Sequence, residues 1–136
     1  MHVLTPRMIR AVTAGTTESN SGNIRSALAL GLSEFQPALC AHDGNLVLVG
    51  SGPSLPRFVD EIKQEREKGR PICAIKGAHD FLIDNGLHPD LFVTCEPRSR
   101  PMKHVSDRTC YLLASRCPPD LFEQVKGKNV VLWHSF

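Results

Sequence analysis

From residue 46 onward, short apolar runs alternate with longer amphipathic stretches. The apolar runs fall at 46–49 (Leu-Val-Leu-Val), 72–75 (Ile-Cys-Ala-Ile), 91–94 (Leu-Phe-Val-Thr), 109–114 and 129–133. Runs this short, bounded by Gly, Pro or charged residues, predict five strands. Between them the period lengthens. Phe58, Val59 and Ile62 form one apolar face, and charges from Asp60 to Arg70 form the other. This predicts a helix over 54–68, with Ser54 as its N-cap and Gly69 and Pro71 ending it. A short helix is expected over 78–85, closed by Gly86, and another over 119–125, with Pro in its first turn and Gly127 after it. Upstream, Ile24, Ala27, Leu28, Leu32 and Phe35 recur at helical spacing from Asn23 until Pro37. Residues 1–22 are rich in Thr, Ser, Gly and Asn, show no period, and read as a flexible arm.

Strands divided by helices imply βαβ crossovers and a parallel sheet. The expected fold is α/β, a Rossmann-like doubly wound, mainly parallel sheet of about five strands with flanking helices, forming one domain over 23–136. The sequence stops on Val130-Val131-Leu132-Trp133-His134-Ser135-Phe136, with no helix after the last strand. The expectation is a domain truncated at its C-terminus, or one covered by another copy in a homo-oligomer formed through the C-terminal strand.

Composition narrows the function classes. The chain has 136 residues, 41% apolar and 22% charged, which fits a globular domain and not a disordered one. A formal charge of +2 gives no argument for nucleic acid, and no apolar run has membrane-spanning length. Five cysteines without paired spacing suggest no secreted disulfide framework, so a reducing cytoplasm is expected. The Cys110 to Cys117 spacing is not a zinc knuckle, and no His pair has zinc-protease spacing. There is no Gly-x-Ser-x-Gly elbow and no Walker A loop.

The candidate chemistry sits where strands give way to helices, because parallel sheets bind ligands beyond their C-terminal strand ends. Gly50, Ser51, Gly52, Pro53 and Ser54 follow the first of these strands. Such a turn holds phosphate through backbone N–H groups, or it is simply a tight turn. Lys76 and Gly77 follow the second strand, where the lysine could meet a phosphate as a point charge and the glycine permits close approach. His79 opens the next helix as a neutral hydrogen-bonding group near a ligand, or as a packing residue. Glu96, past the third strand, reads as an Mg²⁺ ligand, as a partner for a ribose hydroxyl, or as the partner of Arg98 or Arg100. Arg98, Arg100 and Lys103 form a basic cluster suited to a polyphosphate. Asp90 follows Pro89 at the opposite strand end and reads as turn chemistry.

Four segments in order, Val49-Gly50-Ser51-Gly52-Pro53-Ser54-Leu55, Ile75-Lys76-Gly77-Ala78-His79, Gly86-Leu87-His88-Pro89-Asp90 and Thr94-Cys95-Glu96-Pro97, resemble the 6-hydroxymethylpterin diphosphokinase MptE-like family over roughly 45–136. That family includes archaeal pterin enzymes, flagellin-associated bacterial proteins and phage-encoded proteins. The resemblance implies a Rossmann-like nucleotide-binding domain and pyrophosphoryl transfer from ATP to a hydroxymethyl-type acceptor with Mg²⁺. In that scheme Gly50–Ser54 hold phosphates, Lys76 offsets their charge and Glu96 binds the metal. The chain departs from the pattern in carrying Lys76 where those enzymes place acidic residues, with Glu96 the sole acid at the third strand end. The Gly-Pro-Ser-Leu turn is also similar to that of bacterial sialyltransferases, which implies a nucleotide-sugar. A third reading is a non-catalytic binding or assembly module, in the host cytoplasm if phage-encoded.

Overall fold

The computed structural model describes residues 16–36 and 44–134. The first 15 residues of the expected arm, the helix stop at Pro37, and Cys40 lie outside them.

The first helix, α1 (Thr17–Ala29), starts six residues before the point where its apolar spacing becomes visible. A capping box explains the early start. Ser19 N donates to Thr16 Oγ1 at 3.1 Å, and Thr16 N donates to Ser19 Oγ at 3.0 Å, so two amides without helical partners are satisfied at once. Residues 17–22 are therefore helix, not arm. The helix also ends earlier than expected, at Leu30 and Gly31 (φ +61°). Leu32 to Phe35 are not helical. Ser33–Glu34 form a short strand, β1, and Phe35 N donates to Leu132 O at 2.7 Å. The spacing that read as one helix spans a helix, a turn and an edge strand.

The remaining elements follow the expected order. They are β2 (Val47–Val49), a 3₁₀ turn (Leu55–Phe58), α2 (Val59–Glu67), β3 (Ile72–Ile75), α3 (Ala78–Asp84), β4 (Leu91–Thr94), β5 (Cys110–Ala114), α4 (Pro119–Gln124) and β6 (Val130–Trp133). Ser54 does not cap a helix with its side chain. Pro56 fixes a tighter 3₁₀ entry, and the α-helix starts only at Val59. Gly69 (φ +77°) closes α2 as expected.

The sheet has six strands, all parallel, in the order β1-β6-β5-β4-β3-β2. The architecture is the α/β Rossmann-like arrangement, but the strand order does not reverse between β2 and β6, so the sheet is wound in one direction and not doubly wound as expected. From β2 to β6 each strand lies beside the one before it, and right-handed crossovers in one direction set the helices on one face. Val49, Ala74, Phe92 and Tyr111 are in register across four strands, and Thr94, Leu113 and Leu132 across three. This face packs against Ala27, Ile62, Leu82 and Leu121, one residue from each of the four helices. The alternate residues point the other way. Phe35, Val93, Leu112 and Trp133 line an open apolar groove of about 200 Å³ there, and Leu48 is 65% exposed. No described helix covers that face.

At the N-terminal strand edge, Asp90 Oδ2 accepts from Ile72 N at 2.7 Å and pairs with Arg66 Nη1 at 2.8 Å. This joins the starts of β3 and β4, so its role is structural, but it acts on a neighbouring strand and not through the local turn that was expected. Cys73 and Cys117 are buried as small apolar residues, and the described cysteines are unpaired thiols. No described helix is long and apolar enough to cross a membrane.

Candidate functional site

The C-terminal ends of β2, β3 and β4 converge on one cavity of about 200 Å³. Ser51, Lys76, Gly77 and Glu96 come from these three ends; Asp80 comes from α3, and Arg98 and Arg100 from the loop after β4. Phe92, Met102 and Leu121 supply the apolar wall.

The turn after β2 reaches this cavity through Ser51. Gly50, Gly52, Pro53 and Ser54 are exposed beside it and are not part of the lining. Leu55 N donates to Gly52 O and Arg57 N to Ser54 O, so these two amides close the 3₁₀ turn on itself. The turn after β3 comes close: a Cβ on Gly77 would lie 3.5 Å from Ser51 Cβ. That is ordinary van der Waals contact, so the two turns lie side by side at the mouth and the spacing does not itself demand a glycine.

Lys76 has φ +53°, the one non-glycine residue with positive φ among the described residues. Its N–H donates to Val93 O at 3.3 Å, as the last rung of the strand, and its C=O accepts from His79 N at 3.2 Å, at the start of α3. Lys76 and Gly77 alone thus make the change from strand to helix. An L-residue in this conformation is strained by roughly 1–2 kcal/mol, and such strain concentrates at functional sites.

Glu96 is buried at the cavity edge, with its side chain 8% exposed. Its Oε1 accepts from Arg98 Nε at 2.6 Å and Arg98 N at 3.3 Å, and its Oε2 accepts from Arg98 Nη2 at 3.0 Å. Lys76 Nζ lies 3.5 Å from Oε2. The Arg98 guanidinium holds the Glu96 carboxyl down to about 2, against the upward push of burial; Lys76 adds to the lowering. Of the readings open for Glu96, the structure shows the pairing with Arg98.

Asp80 ties the loop after β4 across α3. Its Oδ2 accepts from Lys103 N at 2.9 Å and its Oδ1 from His104 N at 3.0 Å. Asp84, one turn on, takes Lys103 Nζ at 2.9 Å and His104 Nε2 at 2.7 Å. Lys103 is thus held outside the cavity, whereas Arg98 and Arg100 line it. No motif in the sequence marks this clamp. Its only sequence signal is the i, i+4 spacing of the two aspartates.

His79 is fully buried and is not among the lining residues. Its ring meets Phe92 edge-on at 5.2 Å and Tyr111 at 5.8 Å, and its Nε2 has no hydrogen-bond partner. Burial lowers its pKa, with Asp80 opposing, so the ring is held toward its neutral form.

A magnesium ion needs carboxylate oxygens free to approach it in octahedral array. Glu96 is engaged on both oxygens by Arg98, and Asp80 on both by backbone amides. No group of three His, Cys, Asp or Glu suited to a metal occurs among the described residues. The donor set does not fit that ion.

A comparison with curated proteins gives no match. The family model for 6-hydroxymethylpterin diphosphokinase MptE-like proteins matches residues 19–136, from the first turn of α1 through every strand end that builds the cavity. This chain therefore belongs to the MptE-like family, a transferase-like, diphosphokinase-related domain family.

Proposed function

We propose that this domain binds a nucleotide through its phosphates and acts in group transfer, with pyrophosphoryl transfer as the reaction type. The supporting observation is the meeting of Lys76, Arg98 and Arg100 with the Ser51 and Gly77 turns in one cavity beyond the strand ends. The lining sets these three cations against two carboxylates, Glu96 and Asp80, and the positive excess favours an anion. The volume of about 200 Å³ is below the roughly 300–1,000 Å³ of pockets that enclose whole drug-sized ligands. It suits the phosphate end, with the nucleoside lying along the exposed turn from Gly50 to Ser54. Catalysis would come from positioning and from Lys76 and Arg98 stabilising charge that develops on the transferred group. The acceptor would enter from the side of Met102 and Leu121.

A thermal-shift screen tests this reading, because a ligand that binds only the folded state raises its melting temperature. ATP and ADP should raise it, and CMP- and UDP-sugars should do so less. A larger shift with a nucleotide-sugar would move the assignment to glycosyl transfer. No shift with any nucleotide would overturn it.

The bare sheet face favours a second reading, an assembly module. The last strand, β6, already has neighbours on both sides, so an apolar partner would meet the face carrying Leu112 and Trp133 instead of a strand edge. Solution mass tests this: a concentration-dependent oligomer that Leu112→Lys dissolves supports it, and a monomer at all concentrations removes it.

A further inference from the structure

We infer that the anion site of this domain is built from side-chain cations and works without a divalent metal, because Glu96 serves as the counter-charge that sets Arg98 and Lys76 in place. The inference rests on the nucleotide-binding reading and gives its site a defined chemistry: diphosphate held by guanidinium and ammonium groups.

The argument begins with the acceptor capacity of one carboxylate. Two oxygens offer about four lone-pair positions. In Glu96 three hydrogen bonds fall on them, from Arg98 Nε at 2.6 Å, Arg98 N at 3.3 Å and Arg98 Nη2 at 3.0 Å, and Lys76 Nζ adds an ion pair at 3.5 Å. A metal ion on Glu96 would have to expel the guanidinium and then sit beside two cations. The second carboxylate in the cavity, Asp80, is committed to Lys103 N and His104 N.

The same geometry leaves donors for an anion. An arginine carries five N–H groups, and the fork onto Glu96 uses two of them. Three remain, and the fork fixes their plane. Lys76 keeps the rest of its ammonium protons, and its left-handed backbone at the β3 end holds the side chain at the mouth. Glu96 is thus a positioning residue. It touches no ligand, but it orders two groups that do.

Calorimetric titration of the full chain with inorganic diphosphate, in chelator and in excess Mg²⁺, tests the inference. The expected result is binding in chelator that Mg²⁺ does not tighten and that added salt weakens. Lys76→Asn, which keeps a residue tolerant of positive φ, should weaken it by about tenfold, and Arg98→Gln by at least as much. Glu96→Gln should loosen diphosphate while leaving the indifference to Mg²⁺ intact. Circular dichroism checks that each variant is folded. Binding that needs Mg²⁺ and disappears in Glu96→Gln overturns the inference and leaves nucleotide binding standing. Unchanged affinity in Glu96→Gln overturns the positioning role. Binding of neither diphosphate nor nucleotide in either buffer overturns the proposed function as well.

Discussion

Glu96 and Arg98, two residues apart, close a two-pronged ion pair in which Oε1 meets Nε at 2.6 Å and Oε2 meets Nη2 at 3.0 Å. The carboxylate side is buried, while the arginine side chain is 57% exposed. The pair is therefore half in solvent, and its worth is modest compared with a fully enclosed one.

A pH dependence follows from the direction of the shift. The Glu96 carboxyl sits at about 2 in the fold, below its ordinary 4.5. A depressed carboxyl stabilises the fold above the ordinary value, and that contribution fades as the pH falls from 4.5 toward 2. Acid unfolding of Glu96→Gln should be flatter across this window than that of the parent chain, with a loss of about 1–2 kcal/mol at neutral pH. Equilibrium denaturation at stepped pH values measures both.

Lys76 offers a trade between stability and binding. With φ at +53°, replacement by glycine relieves the backbone. Lys76→Gly should gain about 0.5–1 kcal/mol in denaturant unfolding, while β-branched Lys76→Val should lose at least that much. If Lys76→Gly is the less stable protein, the left-handed conformation is not a source of strain.

Asp90 separates fold from site. It holds Ile72 N and Arg66 at the strand edge opposite the cavity. Asp90→Ala should lower unfolding free energy by about 1–3 kcal/mol through the amide left without its acceptor. Its affinity for diphosphate should match the parent's, and a loss there would tie this edge to the site.

His79 is a buried imidazole among aromatic rings, with its Nε2 unpartnered. Burial puts its folded pKa below the ordinary 6.5, so the fold favours the neutral ring. Stability from this source is full above 6.5 and is lost as the pH falls below it, because the unfolded chain takes up the proton first. His79→Phe should keep or raise the melting temperature at neutral pH and reduce its decline in mild acid. Thermal melts across that range provide the check. A steeper decline in the variant would mean that the ring is charged in the fold.

Much of this was legible in the residues themselves. The runs at 72–75 and 91–94 are strands at the positions their apolar pattern gives, since a parallel strand in a covered sheet leaves little else for such a run to do. The turns after β2, β3 and β4 meet at one edge because parallel strands place every such turn on the same side. Local competition hid the rest. The Thr16–Ser19 capping box starts α1 upstream of any apolar residue. The edge strand at Ser33–Glu34 has only two residues, too few for any period. Lys76 carries no mark of its φ, which the ladder to Val93 and the start of α3 impose together. The aspartate clamp on Lys103 and His104 joins groups about 20 residues apart, a distance over which sequence spacing says nothing.

The uncovered sheet face has one more property. Trp133, the chain's single tryptophan, lies in the groove there, with its Nε1 donating to Leu112 O at 3.2 Å. Its indole is half-buried, at the boundary between packed side chains and water. Anything laid across Phe35 and Leu112 would dry that ring and shift its emission to the blue. The molecule thus carries a native fluorophore for occupancy of this face, on the other side of the sheet from the side chains of Phe92 and Thr94 that line the cavity.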